Sequence, residues 1–192
     1  HFAIRTNPDE KVPEDVYFAD WLAGHAVGFI RRHRDEPFFL YLPHFGVHTP
    51  HHAKADYIKA WQDREPAGRH DSPVYAAMIQ SIDESVGAVD RVLEELDLAE
   101  NTVVIFASDN GGVGGYYSSE PPSERRGITD NAPLRGGKGT LYEGGIRVPF
   151  IVRWPGEIPA GSTTATPGVH VDLLPTFAAL AGADLPEQPL EG

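Results

Sequence analysis

Apolar residues recur along this chain with helical spacing in four places. In residues 14–34 and 72–96 they stand three or four positions apart, which predicts two amphipathic helices. Residues 53–61 predict a shorter helix or turn, and residues 171–181 predict a further helix that Gly182 is placed to end. The pattern therefore predicts two long helices and two short ones.

Three short apolar runs predict strands. They occupy residues 38–42, 102–107 and 148–154, and the first two are continuous enough to be buried. The polar segment 111–133 between the last two runs predicts a long loop, of the kind that usually borders a site. Because strands alternate with helices, the pattern predicts an α/β fold with a mainly parallel sheet.

The ends and faces of the two long helices can also be predicted. Ser72 followed by Pro73 is a favourable N-terminus. The basic residues at 31–34 suit the C-terminal end of the helix dipole, with phosphate binding as the alternative. The first helix should bury Phe18, Leu22, Phe29 and Ile30. The second should bury a stripe made of Tyr75, Ile79, Ile82, Val86, Val89, Leu93 and Leu96.

Composition excludes several classes of function. The 192 residues carry a formal net charge of −12, which argues against a nucleic-acid surface. There is no cysteine, so disulfides and thiolate metal sites are excluded. No run approaches the roughly 18 apolar residues of a membrane span. We find no internal repeat.

Asp109 and Asn110 follow the strand predicted at 102–107, at the edge of the sheet where α/β folds bind ligands. A carboxylate oxygen beside an amide oxygen suits a hard cation, Ca²⁺ or Mg²⁺. The alternative is an Asx turn that simply ends the strand. Lys138, which lies between Gly137 and Gly139, suits an anionic ester; the alternative is a solvated loop lysine.

Histidines crowd the segment after the first predicted strand. They are His44, His48, His51 and His52. Taken alone, this cluster would fit a zinc site with three histidine ligands.

These residues together resemble the type I sulfatase family, the arylsulfatase-like enzymes of the alkaline-phosphatase superfamily. The most specific signature is residues 131–139 leading into residues 142–145. His48-Thr49-Pro50, residues 108–111 and residues 171–176 match further family motifs in the family's order. The similarity covers nearly the whole chain.

The resemblance implies a partial alkaline-phosphatase/sulfatase-like sandwich with a mainly parallel central sheet flanked by helices. Sulfatases of this family use a formylglycine made from Cys or Ser in a Cys/Ser-x-Pro-Ser/Ala-Arg motif. Ser119, the nearest candidate, is followed by Pro122 and Ser123 where Ser/Ala and Arg are needed. Residues 1–192 therefore resemble the C-terminal portion of a catalytic domain, without its N-terminal half and C-terminal subdomain.

The resemblance also implies roles for individual residues. Asp109 and Asn110 would bind Ca²⁺ or Mg²⁺, with the formylglycine supplied from outside this chain. Lys138 would bind the sulfate, and His48 would bind it or protonate the departing alcohol, so both are candidate catalytic and substrate-binding residues. The expected function is metal-dependent hydrolysis of a sulfate monoester on a sulfated small molecule or glycan, with the fragment alone inactive. The family resemblance suggests a periplasmic or secreted enzyme.

Two alternatives to that function remain at this point. One is a phosphodiesterase or phosphonate hydrolase of the same superfamily, and the other is a degenerate homologue that acts as a binding module. Among lesser candidates, Glu143 and Arg147 should form an ion pair or anchor the backbone beneath the Lys138 loop, with a direct catalytic role as the alternative. Arg135 should either reach the substrate or brace its loop. Tyr116 and Tyr117 should stack on a sugar ring or pack within the loop.

Overall fold

The computed structural model describes residues 11–68, 70–114, 128–187 and 189. The helices are α1 (Phe18–Arg32), α2 (Ala55–Gln62), α3 (Pro73–Glu95), α4 (Glu143–Ile146) and α5 (Leu173–Ala181). The strands are β1 (Val104–Ala107) and β2 (Phe150–Arg153), and short 3-10 turns lie at Ala99–Asn101 and His170–Asp172. The chain divides into two units, His1–Ile158 and Pro159–Gly192.

Helix α3 forms where the sequence predicted it, and its N-terminus has the predicted cap. The Ser72 hydroxyl accepts a hydrogen bond from the backbone N–H of Tyr75 at 3.3 Å, and Pro73 occupies the first helical position. The predicted buried stripe is wrong in part, because Ile79 is 49% exposed. The buried residues of α3 are Ala77, Met78, Ser81, Ser85, Val92 and Leu93. Several of these are small, which allows helices to approach closely.

Helix α1 packs against α3 and forms one part of the core. Phe29 and Ile30 of α1 contact Val92 and Leu93 of α3 in a buried cluster. Leu22 is also buried, as the pattern predicted. The helix begins at Phe18 and not near residue 14, because residues 14–16 form a turn instead.

Helix α2 packs against the first half of α3. The buried residues of this second cluster are Ala53, Ala77 and Met78, and Trp61 of α2 covers it. The indole N–H of Trp61 also donates to Gln80 of α3 at 2.8 Å. The short helix predicted at 53–61 is therefore confirmed and is anchored on α3.

The sheet differs from the prediction. Strands β1 and β2 pair antiparallel, with Val104 opposite Arg153 and Ala107 opposite Phe150, and they are the full extent of the sheet in the part of the chain that the structure describes. The mainly parallel arrangement is thus not found there. Every residue of β1 is only partly buried, so the prediction of a fully buried strand is wrong. Among the described residues, β2 is the strand that pairs with β1.

Residues 38–42 also do not form the predicted strand. Phe39 alone makes a β-bridge, and side chains alternate between the core and solvent. Phe38 and Leu40 pack against the α1–α3 cluster, whereas Tyr41 is 64% exposed. The apolar run is therefore an extended segment with one covered face.

The second unit contains α5. Its C-terminus is capped by Gly182 in the left-handed conformation, at φ 62°, as the sequence predicted. The helix begins at Leu173, two residues later than predicted, because His170–Asp172 form a 3-10 turn. No described helix combines the length and apolar character needed to cross a membrane.

Candidate active site

Strand β1 delivers Asp109 and Asn110 to the start of a loop. The backbone N–H of Ser108 donates to Pro149 at 3.4 Å, which continues the pairing with the β2 segment, and the Ser108 hydroxyl donates to the carbonyl of Asn110 at 3.0 Å. Asp109 is exposed and Asn110 is half-buried. The amide Nδ2 of Asn110 donates to the carbonyl of Gly111 at 3.0 Å, so its Oδ1 is the atom that this side chain can offer to a cation.

Glycines let this loop lie directly against α4. The N–H of Gly111 donates to the carbonyl of Gly145 at 3.0 Å. A Cβ on Gly111 would lie 1.8 Å from the carbonyl oxygen of Gly144, and one on Gly145 would lie 2.2 Å from that of Thr140. These positions accept only glycine because backbone meets backbone.

The Lys138 loop is held by its own backbone bonds. The N–H and the hydroxyl of Thr140 both donate to the carbonyl of Gly137, at 3.0 and 2.8 Å. Gly136 and Gly139 have φ of 78° and 84°, a conformation that favours glycine. Lys138 itself is half-buried.

The two loops are joined to each other. The backbone N–H of Lys138 donates to the carbonyl of Gly112 at 3.0 Å. A parallel bridge also pairs Gly114 with Thr129. The structure thus brings together the loops that carry Asp109–Asn110 and Lys138, while convergence of the side chains on one ligand stays a prediction.

His48 lies in the loop before α2. Its Nδ1 is 2.9 Å from the carbonyl oxygen of Thr49; because a carbonyl only accepts, Nδ1 carries the hydrogen and Nε2 is left for other partners. The neighbouring Val47 packs against the Ala77–Met78 cluster, so α3 positions this loop. The described contacts of His48 tie it to Thr49 and Phe45, and its approach to Asp109 stays a prediction.

The other histidines have separate surroundings. The Nε2 of His44 is buried and has no hydrogen-bond partner among the described residues, and burial lowers the pKa of its ring below the ordinary value. His51 packs edge-on against Tyr75, and His52 lies beside Tyr17. In the described ranges no three His, Cys, Asp or Glu side chains are grouped to hold a metal, so the histidine zinc site is not supported.

Two predicted contacts lie close to the Lys138 loop in sequence. Glu143 and Arg147 form the predicted ion pair at 3.7 Å, but both side chains are exposed, so the ion pair contributes little to stability. The guanidinium of Arg135 lies 3.8 Å from the ring centroid of Tyr142. This contact favours the bracing role for Arg135. Tyr116, Tyr117 and the Ser119 motif lie outside the described residues.

Sequence reasoning missed Asn131. Its amide nitrogen donates to the carbonyls of Gly112 and Gly136, at 2.9 and 3.0 Å, and so contacts both loops. The available signal was its position at the start of the 131–139 signature.

Comparison with known proteins shows the family of this chain. The family model described as Sulfatase matches residues 4–183. A steryl-sulfatase of Rattus norvegicus is 41% identical over 165 residues, which cover 86% of this chain and 26% of that protein. A sulfatase of Formosa agariphila is 40% identical over 184 residues, covering 88% and 31%. The solved structure of Ps i-CgsB in complex with k-i-k-neocarrahexaose matches with a TM-score of 0.79 and 35% identity, covering 94% of this chain and 37% of that one.

The chain belongs to the sulfatase family of the alkaline-phosphatase superfamily, which confirms the resemblance read from its motifs. It shares the mixed helix-and-sheet fold of the solved sulfatases. It spans between about a quarter and a third of the length of these curated relatives.

Proposed function

We propose that residues 1–192 form the C-terminal portion of the catalytic domain of an enzyme that hydrolyses a sulfate monoester. The observation that carries the proposal is the hydrogen bond from Lys138 to Gly112, because it joins the loop with two candidate cation ligands to the loop with the candidate sulfate-binding lysine. Membership of the sulfatase family supports the same reaction.

The oxygens of Asp109 and Asn110 fit a hard cation, Ca²⁺ or Mg²⁺, as part of its coordination shell. Ca²⁺ takes about six to eight oxygen ligands, so further ligands and the formylglycine would come from outside this chain. Such a cation would neutralise charge on the sulfate and lower the pKa of a bound nucleophile.

Lys138 and His48 supply the remaining chemistry of the proposal. The ammonium of Lys138 binds sulfate oxygens and offsets the negative charge that develops as the S–O bond breaks. When its ring is protonated, the Nε2 of His48 donates a proton to the departing alcohol oxygen. The bond from Nδ1 to Thr49 fixes the ring orientation for this transfer.

The rest of the catalytic domain would cover apolar surface that this chain exposes. Several large apolar side chains are exposed in the first unit, and the most exposed are Leu141, Phe45, Tyr41 and Ile146. Large apolar side chains exposed to this extent are often buried against another part of a protein. The exposure supports the proposed partial domain.

The substrate we propose is a sulfated glycan or a sulfated small molecule. The neocarrahexaose bound to the similar solved structure supports the glycan, and similarity to a steryl-sulfatase supports the small molecule.

An ester-selectivity assay tests the proposed reaction. The full-length parent protein, treated with a chelator and then supplied with Ca²⁺ or Mg²⁺, should hydrolyse an aryl sulfate much faster than the matched aryl phosphate. Activity without either cation, or a preference for the phosphate ester, would count against a metal-dependent sulfatase.

A further inference from the structure

Asn131 connects the two loops of the proposed site through a single amide group. Its Nδ2 donates to the carbonyl of Gly112, two residues after Asn110, and to the carbonyl of Gly136, two residues before Lys138. Both partners are carbonyl oxygens, which only accept hydrogen bonds, so the nitrogen end of the amide must face them. One side chain therefore uses both of its N–H groups to fix two separate loops.

The surroundings of Asn131 leave the loops little freedom to move apart. The carbonyl of Gly112 accepts from both Asn131 and the backbone of Lys138. A Cβ on Gly137 would lie 2.6 Å from that carbonyl oxygen and 2.9 Å from the Asn131 nitrogen. The amide nitrogen thus contacts both backbones beside the hydrogen bond that joins them.

We propose that Asn131 is a positioning residue that sets the distance between Lys138 and the cation ligands Asp109 and Asn110; this inference rests on the proposed function. An aspartate at this position would have the same shape but would present carboxylate oxygens to two carbonyl oxygens. It would replace two attractive contacts with repulsion and let the loops separate. A displacement of about 1 Å at a catalytic group can lower the rate about 100-fold.

The first test measures hydrolysis of an aryl sulfate by the full-length parent. Asn131→Asp should lower kcat by about 100-fold with a smaller change in KM, because Lys138 matters most in the transition state. The matched control is Asn101→Asp, an exposed asparagine in the Ala99–Asn101 turn, which should stay close to the wild-type rate. A wild-type kcat in Asn131→Asp would overturn the proposal.

A double-mutant cycle separates positioning from a general structural role. If Asn131 acts through Lys138, adding Asn131→Asp to Lys138→Ala should lower kcat by less than about 2-fold further. Multiplied losses in the double mutant would show that Asn131 acts independently of Lys138 and would overturn the proposal. Asn131→Ala removes the donors without adding charge, and it enters the same cycle if the aspartate variant does not fold.

A second readout does not depend on the reaction. The backbone N–H of Lys138 donates to Gly112, so its hydrogen exchange should be slow in the parent and faster in Asn131→Asp. Unchanged exchange would overturn the positioning role. A wild-type parent that hydrolyses no sulfate ester but shows this change in exchange would refute the proposed function and leave the loop connection supported.

Discussion

Asp109 and Lys138 have different tasks in the proposed site, so their removal should have different effects. In the proposal, Asp109 contributes negative charge to a cation, whereas Lys138 contributes positive charge to the sulfate. Both reach the site on glycine-bordered loops that the backbone hydrogen bond from Lys138 to Gly112 joins. The kinetic signature of each loss should therefore be separable.

In the full-length parent, Asp109→Ala should abolish cation-dependent hydrolysis of an aryl sulfate. Lys138→Ala should lower kcat by about 10²- to 10³-fold, as loss of one charge-stabilising group usually does. The matched controls are Asp56→Asn and Lys59→Ala, exposed residues of α2 that should leave the rate unchanged. Near-wild-type kinetics in either site variant would remove that residue from the proposed mechanism.

The roles of residues that act on the adjacent backbone could be predicted from sequence. The roles of residues that contact distant parts of the chain could not. Ser72 caps α3 and Gly182 ends α5 because both effects depend on the adjacent backbone. Asn131 contacts carbonyls 5 and 19 residues away, and no local pattern contains that information. The same holds for Gly111, whose lack of a side chain matters because Gly144 lies against it.

At the scale of elements, a polar network ties helices α1, α2 and α3 together around Glu84. Lys54, which precedes α2, donates to Asp20 of α1 at 3.0 Å and to Glu84 of α3 at 3.3 Å. Tyr57 of α2 donates to the same Glu84 oxygen at 2.5 Å, and Gln80 donates to the other at 3.2 Å. These bonds fix the helices that in turn support the His48 loop.

The network makes stability depend on pH. Burial alone would raise the pKa of Glu84, but hydrogen bonds from Tyr57, Gln80 and Lys54 outweigh it and hold the pKa below the ordinary 4.5. A carboxylate with a lowered folded-state pKa stabilises the fold above its unfolded pKa, and that stability is lost as pH falls through the folded value. This loss of stability is therefore expected at pH values below about 4.5.

We expect Glu84→Gln to lower the free energy of unfolding at pH 7 by about 1 kcal/mol, a modest figure because the side chain is 41% exposed. The difference from wild type should be smaller at pH 3, because the stability contributed by a carboxylate with a lowered folded-state pKa is lost as the pH falls. Urea unfolding of the chain at pH 7 and at pH 3 measures the difference in the free energy of unfolding at each pH. Asp83→Asn, an exposed neighbour on α3, is the control. A difference that is absent at pH 7, or equal at both pH values, would contradict this role of Glu84.

The positions of the helices could be predicted from the sequence better than their buried faces or the pairing of the strands. The bounds of α3 agree with prediction within one residue at each end because capping and periodicity are local. Its buried face includes Ser81 and Ser85, which a search for large apolar residues passes over. The run at 38–42 has strand composition, but strand formation also needs a neighbouring strand along its length.

At the scale of the whole molecule, the family could be predicted from motif order, and the sheet could not. Residues 131–145 carry a specific signature, and the comparisons confirm the sulfatase family. Alternation of helices and strands favoured parallel pairing, yet β1 and β2 run antiparallel because the returning segment after α4 pairs directly with β1. Pairing direction depends on the path of the chain, which composition does not encode.

The central claim is that Asp109, Asn110 and Lys138 serve one sulfate-ester site. Its most direct test is a crystal structure of the full-length parent with Ca²⁺ and a bound sulfate ester. We predict Ca²⁺ at about 2.3–2.6 Å from oxygens of Asp109 and Asn110, with the Nζ of Lys138 about 2.7–3.2 Å from a sulfate oxygen. A cation held without Asp109 and Asn110, or a sulfate that Lys138 does not reach, would contradict the account.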